Sequence, residues 1–402
     1  MTPVLPREVE MANSVSVTTK SSNAASVVSS ATITSTPSAP KNERLFVPTA
    51  KIGLASSIVN AMSVKRSGGR VRFGVGLWCL QATSSAPRSH AAAYRDYLED
   101  VRVAETLGYH SLWLSEHHFY YDGYCPALLT AAAAGLAVTS TLHIGTGMLL
   151  LPYQTAERVC RAALEVGERS DGRLDLGVGQ GYRDVEFDGK GVPRRERVRR
   201  FTSAIDDLEW VGADGAFQIW MGAQGDKGVE RAGRLGHGIL LSGALPLPLV
   251  ERLAAIHQKA WIDGGRRGGE RPRVAALRNL WITSDPAERR AVLDWQRASY
   301  VLYQGLGWAV AATDANSEMD FRRDAEQAIA AAVATTIIGP TDEVIDGLRQ
   351  AAAAGVDDVV LRIAVEGAPQ EAIHSLMRQF AEEVFPVLGE PIGAGSTVRG
   401  GR

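Results

Sequence analysis

From Arg70 onward, apolar residues arrive in short blocks that alternate with longer stretches of helical period. The blocks Val71–Leu77, His110–Leu114, Leu142–Leu150, Leu174–Val178, Phe217–Met221, Gly238–Leu241, Val274–Ile282 and Asp358–Ile363 read as strands. They are nearly continuous in apolar character, as strands buried on both faces by a helical layer must be. Between them, His90–Leu107, Pro126–Val138, Thr155–Ser170, Pro193–Asp207, Asp226–Leu235, Pro248–Ile262 and Thr341–Ala354 carry the helical pattern. Gly108 and Gly355 follow helices and precede strands, which is the usual helix stop. Eight such strand–helix units predict an α/β protein, a TIM (β/α)8 barrel. An open doubly wound sheet is the alternative. Its glycine-rich phosphate turn belongs after the first strand, where this chain reads Gly76-Leu77-Trp78-Cys79.

Residues 1–69 are a different polymer. Met11 to Pro40 is mostly Ser, Thr, Ala, Val and Asn, without acids or aromatics, and has too little apolar surface to bury a core. We read 1–69 as a disordered extension, 70–390 as the barrel domain and 391–402 as a flexible tail. A start placed too early, with Met62 just upstream of the first strand, or an organelle transit peptide would also suit this composition; a secretory h-region is missing. With 402 residues, 45% of them apolar, the chain has ample core, and a net charge of −2 points to neither nucleic acid nor an anionic membrane. The run Ala131 to Val138 is too short to span a bilayer. Cys79, Cys125 and Cys160 form no CxxC pair, which suits a reducing, cytoplasmic setting.

A barrel does its chemistry where its strands end, and this sorts the histidines. His110, His143 and His237 stand at strand starts and belong to the opposite, structural rim. His90, His257 and His374 fall on helices and are expected at the surface. Only His117 and His118 close a strand, in Leu112-Trp113-Leu114-Ser115-Glu116-His117-His118-Phe119. Two imidazoles and the Glu116 carboxylate there point to proton handling or ligand binding, with a capping or packing pair as the bland alternative. Strand geometry aims at most one of the two at a given site. A catalytic zinc needs about three protein ligands, and only Glu366 could join this set, so we assign no metal there.

Two further strand ends suit a phosphorylated, planar ligand. After the fifth strand come Gly222, Ala223, Gln224, Gly225, Asp226 and Lys227, then a helix. A tight turn into a helix N-terminus presents backbone N–H groups to phosphate; Lys227 adds charge and Asp226 would be the helix N-cap. The fourth strand ends in Gly177-Val178-Gly179-Gln180-Gly181-Tyr182-Arg183, whose alternating glycines leave room for a flat ring or simply make a tight loop. The basic cluster Arg194 to Arg200 reads as a solvated helix face or as help for an anion.

In this order and on these strands, the segments resemble the bacterial luciferase-like flavin monooxygenases, whose barrel is shared with deazaflavin-dependent oxidoreductases. The likeness runs from about Arg72 to Leu388. Its carriers are Trp113 to Phe119, Ile144-Gly145-Thr146-Gly147-Met148 with Leu151-Pro152, and Gly172 to Arg183 followed by Glu186-Phe187. Ile219 to Ala223, Arg231-Ala232, Ile338-Gly339-Pro340 and Glu382 to Pro386 complete them. The resemblance implies reduced FMN at the strand ends, with its phosphate at Gly222 to Lys227 and Gly179, Gln180 and Tyr182 beside the ring. It also implies a non-prolyl cis peptide at Gly147-Met148. His117 matches the residue implicated in proton transfer to and from the flavin peroxide, and Trp78, Phe119, Tyr182 and Trp308 would wall the substrate pocket. The implied activity is a monooxygenase using FMNH2 and O2 to oxidise a small organic substrate through a flavin C4a-peroxide. A separate NAD(P)H:flavin reductase would be its partner. Deazaflavin-dependent hydride transfer and a non-catalytic flavin-binding subunit are the alternatives. The luciferase itself has Cys-Arg where this chain has Gly179-Gln180, and the stretch between the fourth and fifth strands is shorter than is usual in the family. A homodimer is implied, built on Pro126–Val138 and Thr155–Ser170 through Leu128, Leu129, Ala132 and Leu136. From Ala127 to Val138 only Thr130 is polar.

Overall fold

The computed structural model describes residues 70–82, 87–120, 122–265, 271–305, 325–364 and 368–389. The extension expected over 1–69, the tail over 391–402, and the candidates Trp308 and Glu366 lie outside these residues. The strands are β1 (Arg72–Trp78), β2 (Ser111–Leu114), β3 (His143–Thr146), β4 (Leu149–Leu150), β5 (Leu174–Gly179), β6 (Phe217–Gly222), β7 (Gly238–Leu241), β8 (Val274–Ile282), β9 (Ile337–Gly339) and β10 (Asp358–Arg362). All pairings among them are parallel, and β10 pairs with both β1 and β8, which closes the sheet. With β4 prolonging β3 onto β5, the eight expected strands make the closed ring of a TIM barrel.

The helices are α1 (His90–Thr106), α2 (Leu128–Ala137), α3 (Ala156–Arg169), α4 (Asp184–Gly189), α5 (Arg197–Val211), α6 (Asp226–Leu235), α7 (Leu247–Asp263), α8 (Pro286–Gly305), α9 (Ala325–Val333), α10 (Thr341–Ala353), α11 (Gln370–Glu383) and α12 (Phe385–Leu388). All seven expected helices are present to within a few residues. The pattern missed β9, whose three residues are too few for a period and which exists by pairing with the overhang Leu280–Ile282 of β8. It also missed α4, α8, α9, α11 and α12, of which α8 and α11 pack against that overhang. Among the described residues no helix is long and apolar enough to cross a membrane.

Leu77, Trp113, Trp220, Leu240, Ala275 and Val360 fill the barrel interior. Trp113 and Trp220 meet edge to face at 5.7 Å. Two indoles fit inside only because their neighbours lack side chains. A Cβ on Gly145 would lie 2.2 Å from the Trp113 ring, and one on Gly238 2.6 Å from Trp220. Both indole N–H groups point to polar acceptors, Trp113 to Ser111 Oγ (3.0 Å) and Trp220 to Asp175 Oδ1 (3.1 Å).

Beneath this layer lies the rim of strand starts. Asp358 accepts from Arg72 (2.6 Å) and Arg273 (2.5 Å); burial would raise its pKa, but the two guanidiniums hold it down at about 2. His110 and His143 stack at 4.6 Å beside Asp175, as the strand-start argument expected. Burial, helped by Arg72, pushes His110 down to about 3. His257 and His374, expected at the surface, are instead buried. His257, on α7, donates Nε2–H to His237 O in the turn before β7 (2.8 Å), and His374 contacts Asp100 on α1 (2.7 Å). Both sit on the inward faces of amphipathic helices, a placement that requires the helix phase rather than the helix alone.

Candidate active site

The end of β2 leaves regular strand geometry at once. His117 N–H donates to Tyr124 O (2.9 Å), and Phe119 takes a left-handed backbone with φ of 54°. This turning is what lets Glu116, His117 and His118 all be buried, at 2%, 6% and 5% exposure, although neighbours on a strand would diverge. His117 and the backbone of His118 converge on a carboxylate that the sequence reading assigned no role. Glu186, on α4 and fully buried, lies 2.9 Å from His117 Nδ1 and accepts from the His118 backbone N–H (2.9 Å) and Arg183 (3.2 Å) through Oε1. Its Oε2 accepts from Tyr153 OH (3.2 Å). Burial would raise the Glu186 pKa, but the hydrogen bond and charge of His117, the His118 amide and Arg183 outweigh it, and the group stays below the ordinary carboxylate range. An ionised carboxylate only accepts, so Nδ1 of His117 carries a proton in both the charged and the neutral ring. Nε2, 3.2 Å from the Tyr182 hydroxyl, is then the atom at which the ring gains or loses its second proton. The hydrogen-bonded chain Glu186–His117–Tyr182 thus leads from the buried interior to the strand-end rim.

Glu116 forms a second, looser pair. Its Oε1 accepts from Leu150 N–H (2.8 Å) and lies 3.6 Å from His118 Nε2, a charge contact too long for a hydrogen bond. Glu116 Oε2 and His118 Nε2 are buried without a hydrogen-bond partner. Such atoms are costly unless a ligand or water meets them.

The peptide bond Gly147–Met148 is cis, as the resemblance implies, and a second cis bond joins Gly76 and Leu77. Gly147 N–H donates to Leu114 O, which ties this bend to the end of β2. The glycines of β5 prove to make room for protein atoms. A Cβ on Gly177 would sit 1.8 Å from Thr146 O, one on Gly179 3.0 Å from Met148 Cβ, and one on Gly181 2.4 Å from the Tyr153 hydroxyl. Gly222, at the end of β6, likewise faces Met148 at 2.7 Å. Met148 is therefore the flexible side chain against which the β5 and β6 ends close.

The turn from β6 enters α6 at Gly225, which is the N-cap in place of the expected Asp226. Asp226 is the first helical residue and is held bidentately by Arg252 of α7, at 2.9 Å on each arm. That pairing offsets a carboxylate that would otherwise oppose an anion. A Cβ on Gly225 would meet nothing within 4 Å, so the turn is open. Gln224 Oε1 is buried and unpartnered, whereas Lys227 is exposed. Ala223 is buried behind the turn.

The proposed pocket wall needs correction. Trp78 does not face this rim: its indole N–H donates to Asp100 on α1 (2.6 Å), and the ring packs in the core between sheet and helices. Residue 78 is the last of β1, and parity there turns it outward. Phe119 is 56% exposed, with Gly189 against its ring and Lys190 Nζ 5.8 Å above it. Gln180 and Tyr182 stand at the rim, half-buried. Of the basic cluster, Arg194 pairs with Asp184, and Arg199 and Arg200 with Glu196, which is the solvated face expected. The short stretch between β5 and β6 still holds two helices, α4 and α5, and the first of them supplies Glu186.

Comparison with known proteins agrees with this geometry. Residues 71–358 match the model of the luciferase-like monooxygenase family. The chain is 27% identical over 351 residues, 79% of its length and 92% of the relative's, to 4-hydroxyprotoasukamycin monooxygenase of Streptomyces nodosus subsp. asukaensis. It is 23% identical, over 74% of its length and 90% of the relative's, to the oxygenase component of the flavin-dependent trigonelline monooxygenase of Acinetobacter baylyi. Two solved structures share the fold. Monooxygenase RslO1 of Streptomyces bottropensis has a TM-score of 0.66 and 23% identity, covering 79% of this chain and 99% of its own. The coenzyme F420 dependent tetrahydromethanopterin reductase of Methanopyrus kandleri has 0.56 and 19%, covering 79% and 99%. The chain belongs to the luciferase-like monooxygenase family, whose members it resembles in sequence are oxidoreductases.

Proposed function

We propose that this protein is a monooxygenase that uses reduced FMN and O2 to oxidise a small organic substrate. The observation that carries the reading is the buried chain Glu186–His117–Tyr182 at the strand-end rim. The residues present fit the cofactor. The first N–H groups of α6, the amide of Gln224 and Lys227 would hold the phosphate over the open turn at Gly222, Ala223 and Gly225. Gly147, Met148, Gly179, Gln180 and Tyr182 would border the ring. When bound, reduced flavin supplies electrons to O2 and passes one oxygen atom on. The chain's own part is to exclude water and manage a proton. His117, oriented by Glu186, takes up or returns a proton at Nε2, and Tyr182 extends that path toward the ligand. His118, beside Glu116, positions more than it reacts.

Electrons are taken to come from a separate NAD(P)H:flavin reductase in the cytoplasm. This agrees with a relative named as an oxygenase component. Deazaflavin is the other cofactor the fold hosts, in the reductase from Methanopyrus kandleri. The test is absorbance titration of the purified protein with FMN, with its reduced form, and with deazaflavin. Tight FMN or FMNH2 binding with reductase-dependent O2 uptake supports the reading; saturable binding of deazaflavin alone overturns it.

The homodimer is proposed with a redrawn interface. Leu128, Ala132 and Leu136, expected to meet a partner, are buried at 1%, 0% and 4% against their own barrel. The face of α2 that stays open is Leu129, Thr130, Ala133, Ala134 and Ala137, whose small residues allow a second copy's α2 to approach closely. The exposed side of α3 carries Glu157, Arg158, Arg161 and Glu165 and would frame that contact. Light scattering on the wild type and on Ala133→Glu should give a dimer and a monomer, and a monomeric wild type at micromolar concentration ends the proposal.

A further inference from the structure

The rim of strand starts holds a donor set that the proposed reaction does not use. His110 precedes β2, His143 opens β3 and Asp175 is the second residue of β5, so three adjacent strands each contribute one side chain. One ligand atom from each lies within 4.8 Å of the others. His143 Nδ1 is buried without a hydrogen-bond partner and sits 3.5 Å from Asp175 Oδ2. Asp175 Oδ1 is already fixed by the indole N–H of Trp220, so its second oxygen is held toward the imidazoles, as outer-shell partners hold metal ligands. The nearby Asp358 has two arginines, whereas Asp175 has no ion-pair partner among the described residues except the His143 ring.

We propose that His110, His143 and Asp175 bind one divalent first-row transition-metal ion that ties the starts of β2, β3 and β5 together. Two imidazoles with one carboxylate select such ions over calcium or magnesium. A tetrahedral ion keeps its donors roughly 3.4 Å apart, so movements of about 1 Å would close the set. The side chain of His143 is 24% exposed, which gives the ion a route in and leaves a position for water. Arg72, whose charge reaches His110, is engaged by Asp358. The role is structural, since the rim lies at the far end of the strands from Glu186 and His117.

The test uses the full chain, purified without a histidine tag and stripped with a chelator, titrated with Co2+ by visible absorption and with Zn2+ by calorimetry. One saturable equivalent is expected, displaced by Zn2+. Saturating Zn2+ should raise the melting temperature of the wild type. Asp175→Asn, which keeps an oxygen for Trp220, and His143→Gln should each weaken binding about 100-fold or more. Should the first variant fail to fold, His143→Gln carries the comparison, because its side chain reaches the surface. The absence of a saturable equivalent in the wild type, or wild-type affinity in a folded variant, overturns the site.

Discussion

The two rims of this barrel are built from the same residue types to opposite ends. At the strand starts, charge is matched to charge: Asp358 lies between Arg72 and Arg273, and these pairs join β1, β8 and β10. At the strand ends, charge is concentrated on one acceptor, Glu186, which collects a histidine, an amide, an arginine and a tyrosine. Buried polar atoms of Glu116, His118 and Gln224 remain unpartnered at this rim. Paired ions hold strands in register, whereas unpartnered buried atoms raise the energy of the ligand-free protein and are worth keeping only where a ligand meets them. The arginine pairs of Asp358 at the lower rim therefore read as stability and the upper rim as chemistry, with His143 Nδ1 an unpartnered atom of the lower rim's own.

The largest expected effect comes from breaking the upper rim at its centre. His117→Ala should lower turnover with reduced flavin and substrate about 10²–10⁴-fold while the melting temperature moves little. Wild-type turnover in that variant would remove His117 from the mechanism. Breaking the lower rim should do the reverse. Asp358→Asn is expected to cost about 2–3 kcal/mol of stability, read by urea unfolding, and to leave flavin affinity unchanged. Because the Asp358 pKa is depressed to about 2, this contribution is present above the unfolded value near 4 and is lost as pH falls from there through about 2. Equal stability of wild type and variant at pH 7 would show that the rim pairs are not holding the barrel.

Smaller effects sharpen the upper rim. Gly222→Val places a side chain against Met148 and into the phosphate turn, so FMN affinity should fall roughly tenfold, about 1.4 kcal/mol, whereas riboflavin should bind both forms equally weakly. A wild type that held riboflavin as tightly as FMN would move the phosphate elsewhere. The smallest change is Tyr182→Phe, which removes one hydroxyl from His117 Nε2. A net hydrogen bond is worth about 1 kcal/mol, so a several-fold loss in turnover is expected, with a displaced pH–rate profile. An unaltered profile would mean that the proton path ends at His117.

By itself the sequence determined the barrel and which rim to inspect. Continuous apolar blocks and helix-stop glycines are local signals, and eight of them admit few closed arrangements. The ends of β2, β5 and β6 follow from strand order alone, so His117, His118 and Gly222 were legible there, whereas Gly147 came from the family resemblance. Only the tertiary structure decided that Trp78 turns outward to Asp100, that His257 and His374 are buried, and that Leu128, Ala132 and Leu136 face inward. Each of these depends on the rotation of an element about its own axis, which a one-dimensional pattern leaves free to within a residue. Glu186 belongs to the same class. It meets His117 across 69 residues because α4 folds back over the mouth of the barrel. A contact made by chain reversal has no local period to announce it, and the energy that selects it, the burial of one carboxylate among its donors, exists only once the barrel has closed.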